Sequence, residues 1–218
     1  MRIERIEIEN FRQYEHLVLD FGKSSDSDLH VILADNGVGK SNILNAITWC
    51  LYEEELHLGD KSTSLPIINA KFVNSLRAQG EKFGKVSVRF SFYSDEDNTT
   101  YTVYRSKQFS VVGNPPILNS TTCEMTSSGY PFPMDSEEAK MKIQRFLPYE
   151  INRYIFFDGE QLEKYFQAEQ RTKIQTAINE LTQCSLIDKS ISRIQNYIDT
   201  ELTPKLKECN DEDVNNLI

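Results

Sequence analysis

Between residues 29 and 52 an apolar run, LHVILA, passes through a glycine turn, DNGVG, into an amphipathic stretch, KSNILNAITWCLY. The run has the length of a buried strand over 29–34. Ile43, Leu44, Ile47, Cys50 and Leu51 fall at helical spacing, so the expected order is strand, turn, helix. In that order Ala34-x4-Gly39-Lys40-Ser41 has the spacing of a phosphate-binding loop. Gly37 and Gly39 let backbone N–H groups curl around phosphate oxygens, and Lys40 brings a point charge. The Ser41 hydroxyl stands at the positive helix end, where it can ligate Mg²⁺. The expected ligands are ATP and Mg²⁺. The strict pattern opens on glycine where this chain has Ala34, and the added methyl is tolerated if φ there stays below zero. The alternative is a glycine-rich turn that merely joins strand to helix.

At 218 residues, 39% of them hydrophobic, the chain can hold one medium domain and an extension. A net charge of −9 argues against gripping nucleic acid through bulk positive potential. Any DNA contact would need a local basic patch or a partner. Cys50, Cys123, Cys184 and Cys209 form no C-x-x-C pair, so neither a zinc site nor a disulfide framework is expected, and a reducing cytoplasm is the simplest location. The start, MRIERIEIENF, alternates charge with isoleucine, and no stretch reaches membrane-spanning length, so no membrane association is expected.

Residues 2–8 and 17–21 read as short strands joined by a turn over Asn10 to Glu15. VSVRFSFY at 86–93 and TYTVYR at 100–105 alternate about a polar turn, which predicts a β-hairpin in an antiparallel sheet beside the nucleotide-binding one. Residues 113–135, rich in Gly, Pro, Ser and Thr, read as a long surface loop. Asp135 and Ser136 offer caps for a helix that Pro148 ends, and RYIFF at 153–157 reads as a buried strand before Asp158. From about Glu163 a helical period sets in, with Ile174, Ile178, Leu181, Ile187, Ile191, Ile194 and Ile198 on one seam. That seam is either the root of a coiled coil or a helix packed on its own domain, with Pro204 a stop or kink.

Taken together, IEIENFRQYEHLVLDF, VILADNGVGKSNILNAITWCLY, YIFFDGEQLEKYF and the helix after them resemble the N-terminal half of an SMC-type ABC ATPase head. The likeness is nearer to SbcC, DndD and the SMC-like subunits of Lamassu-type defence than to chromosomal condensins. It implies an α/β P-loop NTPase fold of the ABC/SMC type: a mixed sheet with an antiparallel subdomain over 1–162, then a helical extension, the start of a coiled coil, over 163–218. It further implies that Asn36, Gly37, Val38, Gly39, Lys40, Ser41 and Asn42 wrap the phosphates. Arg12 either approaches the nucleotide from beside the loop or is a solvated turn arginine. Arg77 sits roughly where some relatives place an arginine finger. FFDGE describes a Walker B strand locally, yet the resemblance makes it the Q-loop, with Asp158 where Gln is common. Asp158, or Gln161 after a small loop shift, then joins Ser41 at Mg²⁺; the alternative is a carboxylate capping the following helix.

The family's signature, Walker B strand, catalytic Glu and switch His lie in a C-terminal lobe, and no S-G-G-x-type signature occurs here, so no catalytic residue is assigned. The resemblance implies half of an ATPase head, completed by its own C-terminal lobe and by a second head in a homodimer, with negligible turnover alone. It implies DNA as a further partner, in repair or phage defence, and an effector such as a nuclease. The competing reading is a nucleotide-stabilised scaffold subunit of a defence complex with little turnover. An unrelated kinase or GTPase would need a guanine-reading or acceptor motif, and neither is present.

Overall fold

The computed structural model describes residues 1–22, 29–56, 66–156 and 184–203. Strand β1 (Arg2–Phe11) alternates isoleucine with charge, and β2 (Tyr14–Asp20) returns beside it after the turn at Arg12 and Gln13. On the other side of β1 lies β3 (Phe83–Ser94), then β4 (Thr99–Ser110), β5 (Ile117–Ser127) and β6 (Tyr130–Met134). The six strands form one sheet in the order β2-β1-β3-β4-β5-β6, antiparallel at every pairing.

Period-two alternation sorts the sheet into two faces. Register sets Ile6 against Phe90, Ile8 against Val88, Phe90 against Val103 and Val103 against Met125, so a buried apolar band crosses four strands. Helix α1 (Lys40–Tyr52) lays Ile43, Ala46, Ile47, Trp49 and Cys50 onto this face, packing against β1, β3 and β4. The opposite face carries a polar ladder: Arg89 meets Glu7 and lies over the Tyr104 ring, while Ser87 Oγ donates to Glu9. Helix α2 (Ala70–Ala78) packs on β3 and α3 (Ser136–Phe146) on β5. Buried Arg105 donates to the carbonyls of Cys50 (2.8 Å) and Leu51 (3.3 Å), a cation at the negative end of α1.

Three expected elements differ from those observed. Residues 113–135 contain β5 and β6 instead of one loop: in TTCEMT the buried Cys123 and Met125 alternate with threonines, which favour strands, and β4 offers an open edge for pairing. Over 153–156, the described part of the expected strand 153–157, no strand forms; α4 (Asn152–Ile155) follows a 3-10 turn at Tyr149–Ile151, closed by Phe156 N–H donating to the Asn152 carbonyl. The outer strand β6 carries Pro131 and Pro133, which lack N–H donors, so it is a poor template for a further strand. The run 29–34 makes no ladder, and Leu29 and Leu33 are 84% and 89% exposed, because no neighbouring strand among the described residues pairs with it.

The chain divides into two compact units, Met1–Leu162 and Glu163–Ile218. In the second, α5 (Cys184–Tyr197) runs into a π turn at Ile198–Leu202, and Ile191, Ile194 and Ile198 are exposed. Ile174, Ile178 and Leu181 lie outside the described residues. No described helix is long and apolar enough to cross a membrane.

Burial pushes the Cys50 thiol from its ordinary 9.0 up to about 12, with its Sγ 3.5 Å and 3.6 Å from the Val88 and Val103 carbonyls. Cys123 is raised for the same reason. Near pH 8, below the ordinary 9.0, both stay protonated in the fold. Iodoacetamide should therefore spare both until denaturant is added. The Cys50 thiol favours the native state fully below 9.0, and that contribution fades as pH climbs toward 12, which urea midpoints across the alkaline range will show.

Candidate functional site

Asn36 and Gly37 form a turn and Gly39 is the N-cap of α1. Gly37 has φ 83° and Gly39 φ 106°, values that glycine alone adopts without strain. Ala34 is not among the residues with positive φ, so its methyl is accommodated at the place where the strict pattern has glycine. A Cβ on Gly37 would meet nothing within 4 Å, leaving open space over the turn. Lys40 Nζ donates to the Ala34 carbonyl at 2.6 Å and to that of Asp35 at 2.8 Å, drawing its charge back over the loop.

The start of α1 is electrostatically incomplete. Asn69 caps α2 by accepting from Phe72 N–H, and Asp135 caps α3 by accepting from Glu137 and Glu138 N–H, with two glutamates in that first turn. Gly39 supplies no side-chain cap and no acidic residue stands in the first turn of α1. The positive end of that helix dipole has neither a capping side chain nor an acidic first-turn residue, an arrangement suited to an oxyanion ligand.

The loop is braced from the β1–β2 turn. There Asn10 and Arg12 take φ 54° and 52°, which is strained for residues other than glycine. Arg12 N–H donates to Ile67 (2.7 Å), Asn69 N–H to Asn10 (2.8 Å) and Asn10 Nδ2 to Lys85 (3.0 Å), while Phe11 lies 5.4 Å from Trp49 between ring centres. The Arg12 guanidinium forks onto both carboxylate oxygens of Glu55, with Nε to Oε1 at 2.8 Å, and Nη1 donates to the Pro66 carbonyl. The two side chains are 9% and 3% exposed, so Arg12 is no solvated turn arginine. Its neighbour Gln13 is the side chain that reaches the loop, bonding Val38 and Asn42, while Tyr14 Oη donates to the Gly39 carbonyl at 2.9 Å.

Sequence reasoning singled out neither Gln13 nor Tyr14. Their partners lie 25 residues on in the case of Val38 and Gly39, and no periodicity marks a turn side chain's distant partner. Arg77 donates to the Val111 carbonyl at 2.7 Å and to that of Gly113, pinning α2 to the chain after β4. Asp158 and Gln161 lie outside the described residues.

Residues 5–215 match the family described as an AAA domain, AAA_23. The chain belongs to that family. A solved chain from work on ATP-driven dimerization and DNA stimulated activation of SMC ATPases superposes on this AAA domain with a TM-score of 0.50 at 18% identity, covering 80% of this chain and 98% of that one. Septu protein PtuA of Bacillus mycoides (strain KBAB4) is 46% identical over 55 residues, which is 24% of this chain and 8% of that protein. The DNA replication and repair protein RecF of Lactococcus lactis subsp. cremoris (strain MG1363) is 47% identical over 47 residues, 22% of this chain and 12% of RecF. RecF of Lachnoclostridium phytofermentans is 35% identical over 65 residues, 30% of this chain and 17% of that protein. The chain thus spans a small part of the curated relatives it matches. Its fold is that of the solved SMC ATPase chain.

Removing one partner of a buried pair strands the other charge, so Arg12→Ala should lower unfolding free energy by roughly 3 kcal/mol in urea melts without nucleotide. A loss within a few tenths would mean that the fork with Glu55 contributes nothing to the fold.

Proposed function

We propose that the loop Asn36–Asn42 binds the phosphates of ATP, and that this lobe works within a nucleotide-driven clamp acting on DNA. The observation that carries the reading is the uncapped start of α1, with Gly37 and Gly39 at positive φ and the Lys40 ammonium drawn over the turn. An ammonium carries three protons; the Ala34 and Asp35 carbonyls take two, and the third serves a phosphate oxygen. Ser41, in the first turn of α1, would hold Mg²⁺, with Asp158 or Gln161 as its second protein contact, and the ion would supply positive charge to the phosphates. Arg12 serves the nucleotide indirectly, by fixing the turn that braces the loop.

Hydrolysis requires a C-terminal lobe with a signature and a Walker B carboxylate, and a second head. The exposed apolar run at Leu29, Val31, Ile32 and Leu33, directly before the loop, supports this, since it is a strand sequence awaiting neighbours. Head dimerisation and DNA as partner are supported by what the solved SMC chain is described as doing, and repair by the RecF matches. The PtuA match supports the other setting, phage defence with an effector such as a nuclease, in which nucleotide stabilises a scaffold and turnover is slight.

Calorimetry with MgATP tests the site: the parent chain binds, and Lys40→Ala weakens binding at least about tenfold. Equal affinity for the two would remove the assignment. In a phosphate-release assay the chain alone should stay at background, and robust Lys40-dependent release would contradict the incomplete-site account.

A further inference from the structure

We infer that Gln13 and Tyr14 are positioning residues of the phosphate loop, holding it in its binding shape before nucleotide arrives. The inference rests on the nucleotide site proposed above. The carboxamide of Gln13 is used at both ends: Nε2 donates to the Val38 carbonyl at 3.2 Å, and Oε1 accepts from Asn42 Nδ2 at 2.6 Å. It therefore bridges the residue just before Gly39 to the first turn of α1. Asn42 in turn accepts from Asn45 Nδ2 at 3.1 Å, carrying the chain of bonds down the helix. Tyr14 Oη donates to the Gly39 carbonyl at 2.9 Å, and burial raises its phenol above the ordinary range, so it remains a donor at neutral pH.

The fit is close. A Cβ on Gly39 would fall 1.3 Å from Gln13 Nε2 and 3.1 Å from Tyr14 Oη, so the absent side chain is what lets the brace reach the loop. These contacts engage the carbonyls of Val38 and Gly39 and take up none of the loop's N–H groups. A loop with its carbonyls tied outward loses less conformational freedom when an anion binds, and that preorganisation appears as affinity. The strained turn fits the same purpose: positive φ at Asn10 and Arg12 is maintained by bonds to Ile67, Asn69, Lys85 and Glu55, and it delivers Gln13 and Tyr14 to the loop.

The brace acts on the loop and not on one phosphate, so its loss weakens ATP and ADP alike. Kd values for MgATP and MgADP are measured by calorimetry for the parent, Gln13→Ala, Gln13→Glu, Tyr14→Phe and Lys40→Ala, alongside nucleotide-free melting temperatures. Gln13→Ala should raise both Kd values by the same factor, about five- to tenfold, the weight of one or two hydrogen bonds. Gln13 is exposed, so the melting temperature should hold. Gln13→Glu keeps the acceptor for Asn42 but loses the donor to Val38 and adds negative charge beside the triphosphate, so it should bind at least as weakly. Tyr14→Phe should weaken both nucleotides about threefold, as one lost neutral hydrogen bond does. Parental affinities in the Gln13 variants overturn the inference, as does a loss confined to ATP, which would mark a direct contact with the terminal phosphate. Parental binding by Lys40→Ala would bring down the nucleotide site itself, and this inference with it.

Discussion

The fork between Arg12 and Glu55 joins two stretches of chain that must keep their places if the loop is to keep its shape. Arg12 sits in the turn that braces the loop, and Glu55 follows directly on the helix that the loop begins. The planar guanidinium meets both carboxylate oxygens, and the third direction of the fork satisfies the Pro66 carbonyl. With both partners nearly sealed from water, the pair owes its value less to attraction than to the cost of leaving either charge alone. Phe11 against Trp49, packed beside it, adds the apolar wall that keeps water out. Arg105 does a related task beneath α1, binding the carbonyls at its C-terminal end to the sheet. Helix, turn and sheet are therefore tied together, with the exposed loop at their edge.

Much of this was legible in the residues. Strict alternation in VSVRFSFY and TYTVYR gave β3 and β4, because one face of an antiparallel sheet is buried and the other wet. Asp135 before EEAKMKIQRF marked α3, since an acceptor at that place satisfies two helix N–H groups. The glycine spacing marked the loop, because positive φ is written directly into residue type. Other features depend on partners far along the chain. The threonines of β5 look like loop until β4 presents an edge, and RYIFF looks like a strand although Asn152–Ile155 continues a 3-10 turn into a short helix. The run at 29–34 has the composition of a buried strand and the surroundings of an exposed segment. Gln13 and Tyr14 were invisible because a hydrogen bond from a turn to a distant carbonyl leaves no pattern in sequence.

On the proposed reading the site is completed by groups from elsewhere, and several features then fall together. Phosphoryl transfer is achieved mainly by positioning and by charges aimed at the transferred group. The loop holds the Lys40 ammonium over the Ala34 and Asp35 carbonyls, and among the described residues no group of His, Cys, Asp and Glu assembles to hold a metal. On the proposed reading, the remaining oxygen ligands come from the nucleotide itself, from Asp158 or Gln161, and from a second lobe. The chain shares the fold of the solved SMC ATPase chain while carrying a net charge of −9.

Amide hydrogen exchange across residues 34–42, measured with and without MgATP, tests the central claim most directly. If the loop amides grip phosphate oxygens, exchange in that segment slows in the presence of MgATP, most at Gly37, Gly39 and Lys40, while the polar face of the sheet is unaffected. Unchanged exchange over 34–42 at a nucleotide concentration that saturates any binding would show that the loop does not hold the triphosphate.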